Sequence, residues 1–296
     1  MTCHNQSRSG NLNRVFFDAK GDLPETWQWP GLWSVNLPIV TVLWHQLFTH
    51  SFGMWLNSYH FFATAGIAWG FAAGERWLYF FRNNPEAAKN IPGDVEEQRA
   101  RMVRIVLLIM IGLILVAIVG ARTRETAGML LWTTIGGAYL VSLRISPKSV
   151  NEFLPREMAL AIFLSGSSLL FIWANAAFQS IHFLLPGMLL LLLLFYYFCL
   201  VGSWSPPLMP AFANEPILEG TGGNIFRAIP IFLIAATVLL LVFNEDSTLD
   251  TLFISIGISA LILLLLDAWP SPMAKPAKRI FADLAMVTPA LPLLIL

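Results

Sequence analysis

Apolar residues along this chain come in long unbroken runs separated by short polar turns, not at the spacing of one-sided soluble helices. About nine stretches approach the ~17–25 residues that a hydrocarbon core of ~30 Å requires. They are 32–50, 59–81, 102–121, 126–143, 157–175, 181–203, 226–243, 249–267 and 280–296. The clearest are 102–121, 181–203 with its run of leucines, and 249–267. Pro38 interrupts the first window, and Pro289 and Pro292 the last. Proline is tolerated in a membrane helix where neighbours re-satisfy the freed carbonyls, so both windows read as kinked spans. The pattern predicts an all-α fold, a polytopic bundle of about nine transmembrane helices in one domain, 32–296, behind a tail, 1–31.

The polar segments orient that bundle. Asp18, Asp22, Pro24 and Glu25 stand where a secretory signal needs an apolar core, so the tail reads as cytosolic, meeting the interface through Trp27, Trp29 and Trp33. With the N-terminus in the cytosol, the cytosolic turns carry Arg82, Lys89, Arg99, Arg101 and Arg104, then Arg144, Lys148 and Arg156, then Arg227, then Lys275, Lys278 and Arg279. The opposite side carries Arg122 and Arg124. This is the positive-inside pattern, and it places the C-terminus across the membrane. The two longest connections, 82–101 and 204–225, are then cytosolic, on the face where loops of a rigid scaffold tend to carry function. No internal repeat is visible, which counts against an inverted-repeat transporter of small solutes.

Composition agrees with the pattern. Of 296 residues 56% are hydrophobic and 12% charged. That is half the charge of a soluble domain, roughly a quarter. Net charge is zero, which removes an electrostatic case for nucleic acid. Cys3 and Cys199 make neither a disulfide framework nor a thiolate metal site.

Four segments carry a family resemblance. The first window reads LPIVTVLWHQLFTHSFG (37–53), the second ends AWGFAAGERWLYFF (68–81), the fifth opens FLPREMALAIFLSGSSLL (153–170), and the chain closes on LLLLDAWPSPMAKPAKRIFADLAMVTPALPLL (263–294). Together with the helix count and the two long cytosolic loops, these resemble a bacterial subgroup of the UbiA superfamily of intramembrane prenyltransferases. The resemblance implies a bacterial inner membrane and a central cavity with two acidic motifs at its cytosolic mouth. There Mg²⁺ neutralises the diphosphate of an isoprenoid donor, and the allylic cation formed is captured by an acceptor; hard oxygen ligands suit that metal.

Both motifs depart from the family pattern. In the first, Glu75 holds the leading acidic position and Arg76 is kept, but Tyr79 stands at the second acidic place, one helical turn on. In the second, Trp204-Ser205-Pro206-Pro207 replaces a tryptophan followed by acids, the nearest being Glu215 and Glu219. What the resemblance implies for an active protein is Glu75 on metal, Arg76 and Arg156 on phosphate, and Tyr79 or Tyr197 facing the cation. The alternative is a catalytically inactive UbiA-like protein that binds a polyprenyl lipid or scaffolds other membrane proteins.

Other residues have plainer readings beside the chemical one. Glu75 lies about 9 Å inside the cytosolic end of its helix, where an ionisable group faces a cavity or a partner. Its bland reading is an ion pair locking helices. His45 and His50 sit about 140° apart on one helix and do not converge on a metal; His50 and His60 flank an outer turn as interfacial histidines. Asp267 and Asp283 bracket the last cytosolic turn and read as local ion-pair partners. Tyr139, Tyr196 and Tyr197 read as packing, or as cation–π shields if they line a cavity. Gly66, Gly70 and Gly74 share one helix face and predict a close seam with a neighbour.

Overall fold

The computed structural model describes residues 36–54, 57–83, 108, 111–112, 115, 118–175, 181–204, 222–243, 247–268 and 275–294. Every regular element among them is helical: α1 (Asn36–Ser51), α2 (Ser58–Asn83), α3 (Thr123–Ile145), α4 (Pro147–Phe153), α5 (Arg156–Asn175), α6 (Ile181–Trp204), α7 (Gly222–Phe243), a 3₁₀ turn (Ser247–Leu249), α8 (Asp250–Ala268), α9 (Lys275–Ala285) and α10 (Ala290–Leu293). Five helices are long and apolar enough to cross a membrane: Thr123–Ile145, Arg156–Asn175, Leu184–Ser203, Phe226–Phe243 and Asp250–Ala268. Each coincides with a window read from hydropathy, and together they are what an integral membrane protein presents. The tail 1–31, most of loops 82–101 and 204–225, and most of window 102–121 lie outside the described residues.

The short helix α1 is largely buried. It packs against α2, α5, α8 and α10. It buries Leu37, Val40, Trp44, Leu47 and Phe48, together with the polar Thr41, His45, Thr49 and Ser51. Around it close Phe71 and Ala72 of α2, Leu164 of α5, Leu190, Leu193 and Leu194 of α6, and Leu252, Ile256, Ala260 and Leu263 of α8. By contrast only 17% of the α3 span and 22% of the α7 span are buried inside the protein, against 61% for α5 and 67% for α6. The outward faces of α3 and α7 show Leu130, Leu131, Ile135, Phe232, Leu239 and Phe243. Apolar faces this broad call for lipid rather than water.

The prolines behave differently from a pair of kinks. Pro38 stands in the first described turn of α1 and leaves the described part of the helix unbroken. The last window, 280–296, is not one continuous helix: α9 ends at Ala285, a turn covers 286–289, and α10 follows. Pro289 cannot donate to the Ala285 carbonyl four residues back. That carbonyl instead accepts the Ser259 hydroxyl of α8 at 2.8 Å. Ala290 turns its N–H to Val287, and the freed Met286 carbonyl accepts the indole N–H of Trp44 at 3.1 Å. Thr288 closes the break with its hydroxyl 2.6 Å from that of Ser259. Neighbouring helices thus supply the partners an interrupted membrane helix needs.

Close packing depends on glycine at one point above all. A Cβ on Gly166 of α5 would sit 2.1 Å from Cζ2 of Trp132 on α3. That indole is held in place by donating to Ser167 Oγ at 3.2 Å, and it packs on Phe163. Gly166→Ala is therefore expected to cost ~1–3 kcal/mol through overpacking. Gly137→Ala, where a Cβ meets nothing within 4 Å, should be neutral or slightly stabilising. Detergent thermal melts of the two variants check this; equal midpoints would refute it. On α2, Gly74 meets Leu140 of α3 at 3.0 Å from an added Cβ, so the predicted glycine seam has a real neighbour there.

Candidate functional site

Two clusters of ionisable groups occupy opposite ends of the bundle. At one end α2 finishes and α5 begins, which brings together two residues singled out by sequence. Arg156 donates through Nε to Oε1 of Glu75, and through Nη2 to Oε2 at 3.0 Å. This is the two-pronged geometry in which guanidinium and carboxylate are matched. Glu75 is fully buried and Arg156 is 25% exposed at its side chain, so the pair reaches the surface through the arginine. Arg76 and Tyr79 lie on α2 beside it, but their side chains are outside the described residues.

The same end carries a second polar group built on α6, α7, α8 and α9. Tyr197 donates to Asp283 Oδ1. Tyr196 donates to Asp267 Oδ2 at 3.4 Å, and that oxygen lies 3.7 Å from Nε of Arg227. Asp267 thus has an arginine partner, whereas Asp283 meets a phenol. Tyr197 spends its hydroxyl on that carboxylate, and both tyrosines are buried among core side chains. Tyr139 stacks near Phe71 and Phe163 in the α2–α3–α5 interior.

The donor set around Glu75 does not suit Mg²⁺ as it stands. Both carboxylate oxygens face a guanidinium, and a hard divalent cation needs several free oxygens at once. Among the described residues no group of three or more His, Cys, Asp and Glu side chains is placed to hold a metal. Glu215 and Glu219 lie outside the described residues.

At the opposite end, sequence reading passes over the central residue, Glu125. It is the third residue of α3 and is 2% exposed. Its Oε2 accepts the backbone N–H of Arg122 at 2.8 Å, half of a capping box at the start of the helix. Oε2 also accepts the Tyr59 hydroxyl at 2.9 Å. Oε1 accepts from Asn175 Nδ2 at 2.7 Å and from His60 Nε2 at 3.3 Å. One carboxylate therefore ties the start of α3 to the start of α2 and the end of α5.

The histidines join this cluster from inside. The rings of His45 and His60 lie 6.0 Å apart on α1 and α2, edge to face, with Phe171 against both. His45 donates from Nδ1 to the Ser168 carbonyl at 2.8 Å. Its Nε2, Nδ1 of His60 and the Thr64 hydroxyl are buried without a hydrogen-bond partner among the described residues. The pair that converges is His45 with His60, across two helices; His50, near the end of α1, is exposed. Compared with protein-family models, with curated proteins and with solved structures, the chain matches none of them.

Proposed function

We propose that this chain is a UbiA-like integral membrane protein that binds an isoprenoid lipid without transferring its prenyl group. It would have nine spans in the inner membrane of a bacterium, with a cytosolic N-terminus. The observation that carries the reading is the bidentate pairing of Glu75 with Arg156. The resemblance assigns the leading acidic position to metal, and here that carboxylate is already neutralised by protein. Tyr79 at the second acidic place and Ser205-Pro206-Pro207 in the second motif point the same way. A buried ion pair costs desolvation and holds helices in register more than it adds stability. In this reading it has become structural, and the loop end of the bundle keeps a polar mouth for a lipid headgroup.

A second reading, prenyl transfer, is favoured by one observation: Asp267 and Asp283 stand at the same end with Tyr196 and Tyr197 beside them. Thermal stability of the detergent-purified protein separates the two, measured with farnesyl and geranylgeranyl diphosphate, with and without Mg²⁺. A ligand bound only by the folded state raises the midpoint by mass action. Stabilisation equal with and without Mg²⁺, and preserved as a shift in Glu75→Gln, is the expected result. Stabilisation that requires Mg²⁺ and disappears in Glu75→Gln would favour the prenyl-transfer reading instead. No shift with any isoprenoid at high concentration would leave a scaffold that binds no prenyl ligand.

A further inference from the structure

The end of the bundle opposite Glu75 has an open depression of ≈ 370 Å³ lined by Arg122, Thr123, Arg124, Ala174 and Asn175. Two candidate spans meet there, since α3 begins at Thr123 and α5 ends at Asn175. A depression at the ends of two spans lies at the depth of lipid headgroups. Arg122 and Arg124 are exposed, and neither takes part in a salt bridge among the described residues. The carboxylate beneath them, Glu125, is buried and engaged by Tyr59, His60, Asn175 and the Arg122 backbone. Its charge is turned inward, whereas both arginines are exposed.

The flank of the depression continues as an apolar track. Seven residues along a helix return to within ~20° of the same direction. Leu130 therefore follows Thr123, and Leu131 follows Arg124, one below the other on the outward face of α3. Both leucines are exposed, as is Trp173 near the end of α5, an aromatic of the kind that favours the interface. Cationic groups at headgroup depth above an exposed leucine track make one amphiphilic surface.

We propose that this surface is a binding site for an anionic phospholipid. Arg122 and Arg124 hold the headgroup phosphate, whose charge no choline or ethanolamine cation offsets in an anionic lipid, and an acyl chain lies along Leu130 and Leu131. Arginine suits the role because its fork of donors matches phosphate oxygens. On the positive-inside reading these two are also the basic residues left on the outer side, where topology does not call for them. The site lies at the other end of the bundle from the isoprenoid mouth and does not depend on it.

Native mass spectrometry of the detergent-solubilised full chain with dioleoyl phosphatidylglycerol and dioleoyl phosphatidylcholine tests the site. Two juxtamembrane arginines correspond to a roughly thirtyfold loss of phosphatidylglycerol affinity in the Arg122→Gln, Arg124→Gln double variant, with phosphatidylcholine unchanged. Both side chains are exposed, and an unaltered melting midpoint without lipid confirms that the variant is folded. Arg144→Gln, exposed at the opposite end, should retain the preference. The proposal is overturned if the double variant binds phosphatidylglycerol like the parent, or if Arg144→Gln loses as much. Displacement of phosphatidylglycerol by millimolar inorganic phosphate would overturn it too, in favour of a bare anion site. A geranylgeranyl diphosphate shift unaltered in the double variant keeps this outcome separate from that of the isoprenoid site.

Discussion

Arg156→Met is expected to destabilise the protein by about 3 kcal/mol, because it leaves the Glu75 carboxylate buried without its counter-charge. The figure lies at the low end of the range for a broken buried pair, since a quarter of the Arg156 side chain already meets solvent. The informative measurement is the full cycle: Arg156→Met, Glu75→Leu and the double variant, by thermal or denaturant unfolding in one detergent. The double variant should recover much of the loss, since replacing both charges with apolar groups removes the desolvation cost together with the attraction. Additive losses would show that the two side chains are not coupled in the membrane. The cycle also bears on function. If Glu75 retains a latent metal role, Arg156→Met frees both of its oxygens, and Mg²⁺ should then raise the midpoint of that variant. The inactive reading expects Mg²⁺ to leave it unchanged.

What sequence makes legible here follows from how local the signal is. Hydropathy is a property of contiguous residues, so 126–143, 157–175, 181–203, 226–243 and 249–267 each coincide with a helix long and apolar enough to span. The last window is broken for a local reason as well. The cost of Pro289 depends on whether a neighbour can take over the Ala285 carbonyl, and Ser259 does so only after the chain has turned into a separate short helix. Pro38, by contrast, falls in the first described turn of α1, and the described helix runs on from it unbroken.

Pairing across helices is the part that sequence hides. Glu75 and Arg156 each stand out as ionisable residues near a span end, yet 81 positions separate them and nothing local says they meet. The same holds for His45 and His60, which converge although His45 and His50 on their shared helix do not. Glu125 did have a local signature. An acid in the first turn after a short outer loop is a common helix-start signal, although Arg122 lacks the capping side chain that would complete it. Its burial has no such signature, because Tyr59, His60 and Asn175 come from two other helices.

That burial sets the second large effect. Glu125→Ala removes the acceptor shared by Tyr59, His60, Asn175 and the Arg122 N–H, and only part of that group can turn to water. An unsatisfied buried donor costs ~1–3 kcal/mol, and loss of a helix cap adds ~1 kcal/mol, so a total of about 3 kcal/mol or more is expected. Asn175→Ala, which removes one donor and leaves the carboxylate three, should cost much less. Glu125→Gln should fall between them, since its amide nitrogen cannot accept and would face donors on one side. The ordering Glu125→Ala, Glu125→Gln, Asn175→Ala in detergent melts follows from acceptor count alone. A flat series would mean that water substitutes freely for the carboxylate, and that the tie between α2, α3 and α5 at this end is made by packing. The ordering also speaks to the surface above: if Glu125 is the internal anchor for this end, Glu125→Ala should loosen the depression and weaken anionic lipid binding. Arg122 and Arg124 would then be displaced without being changed.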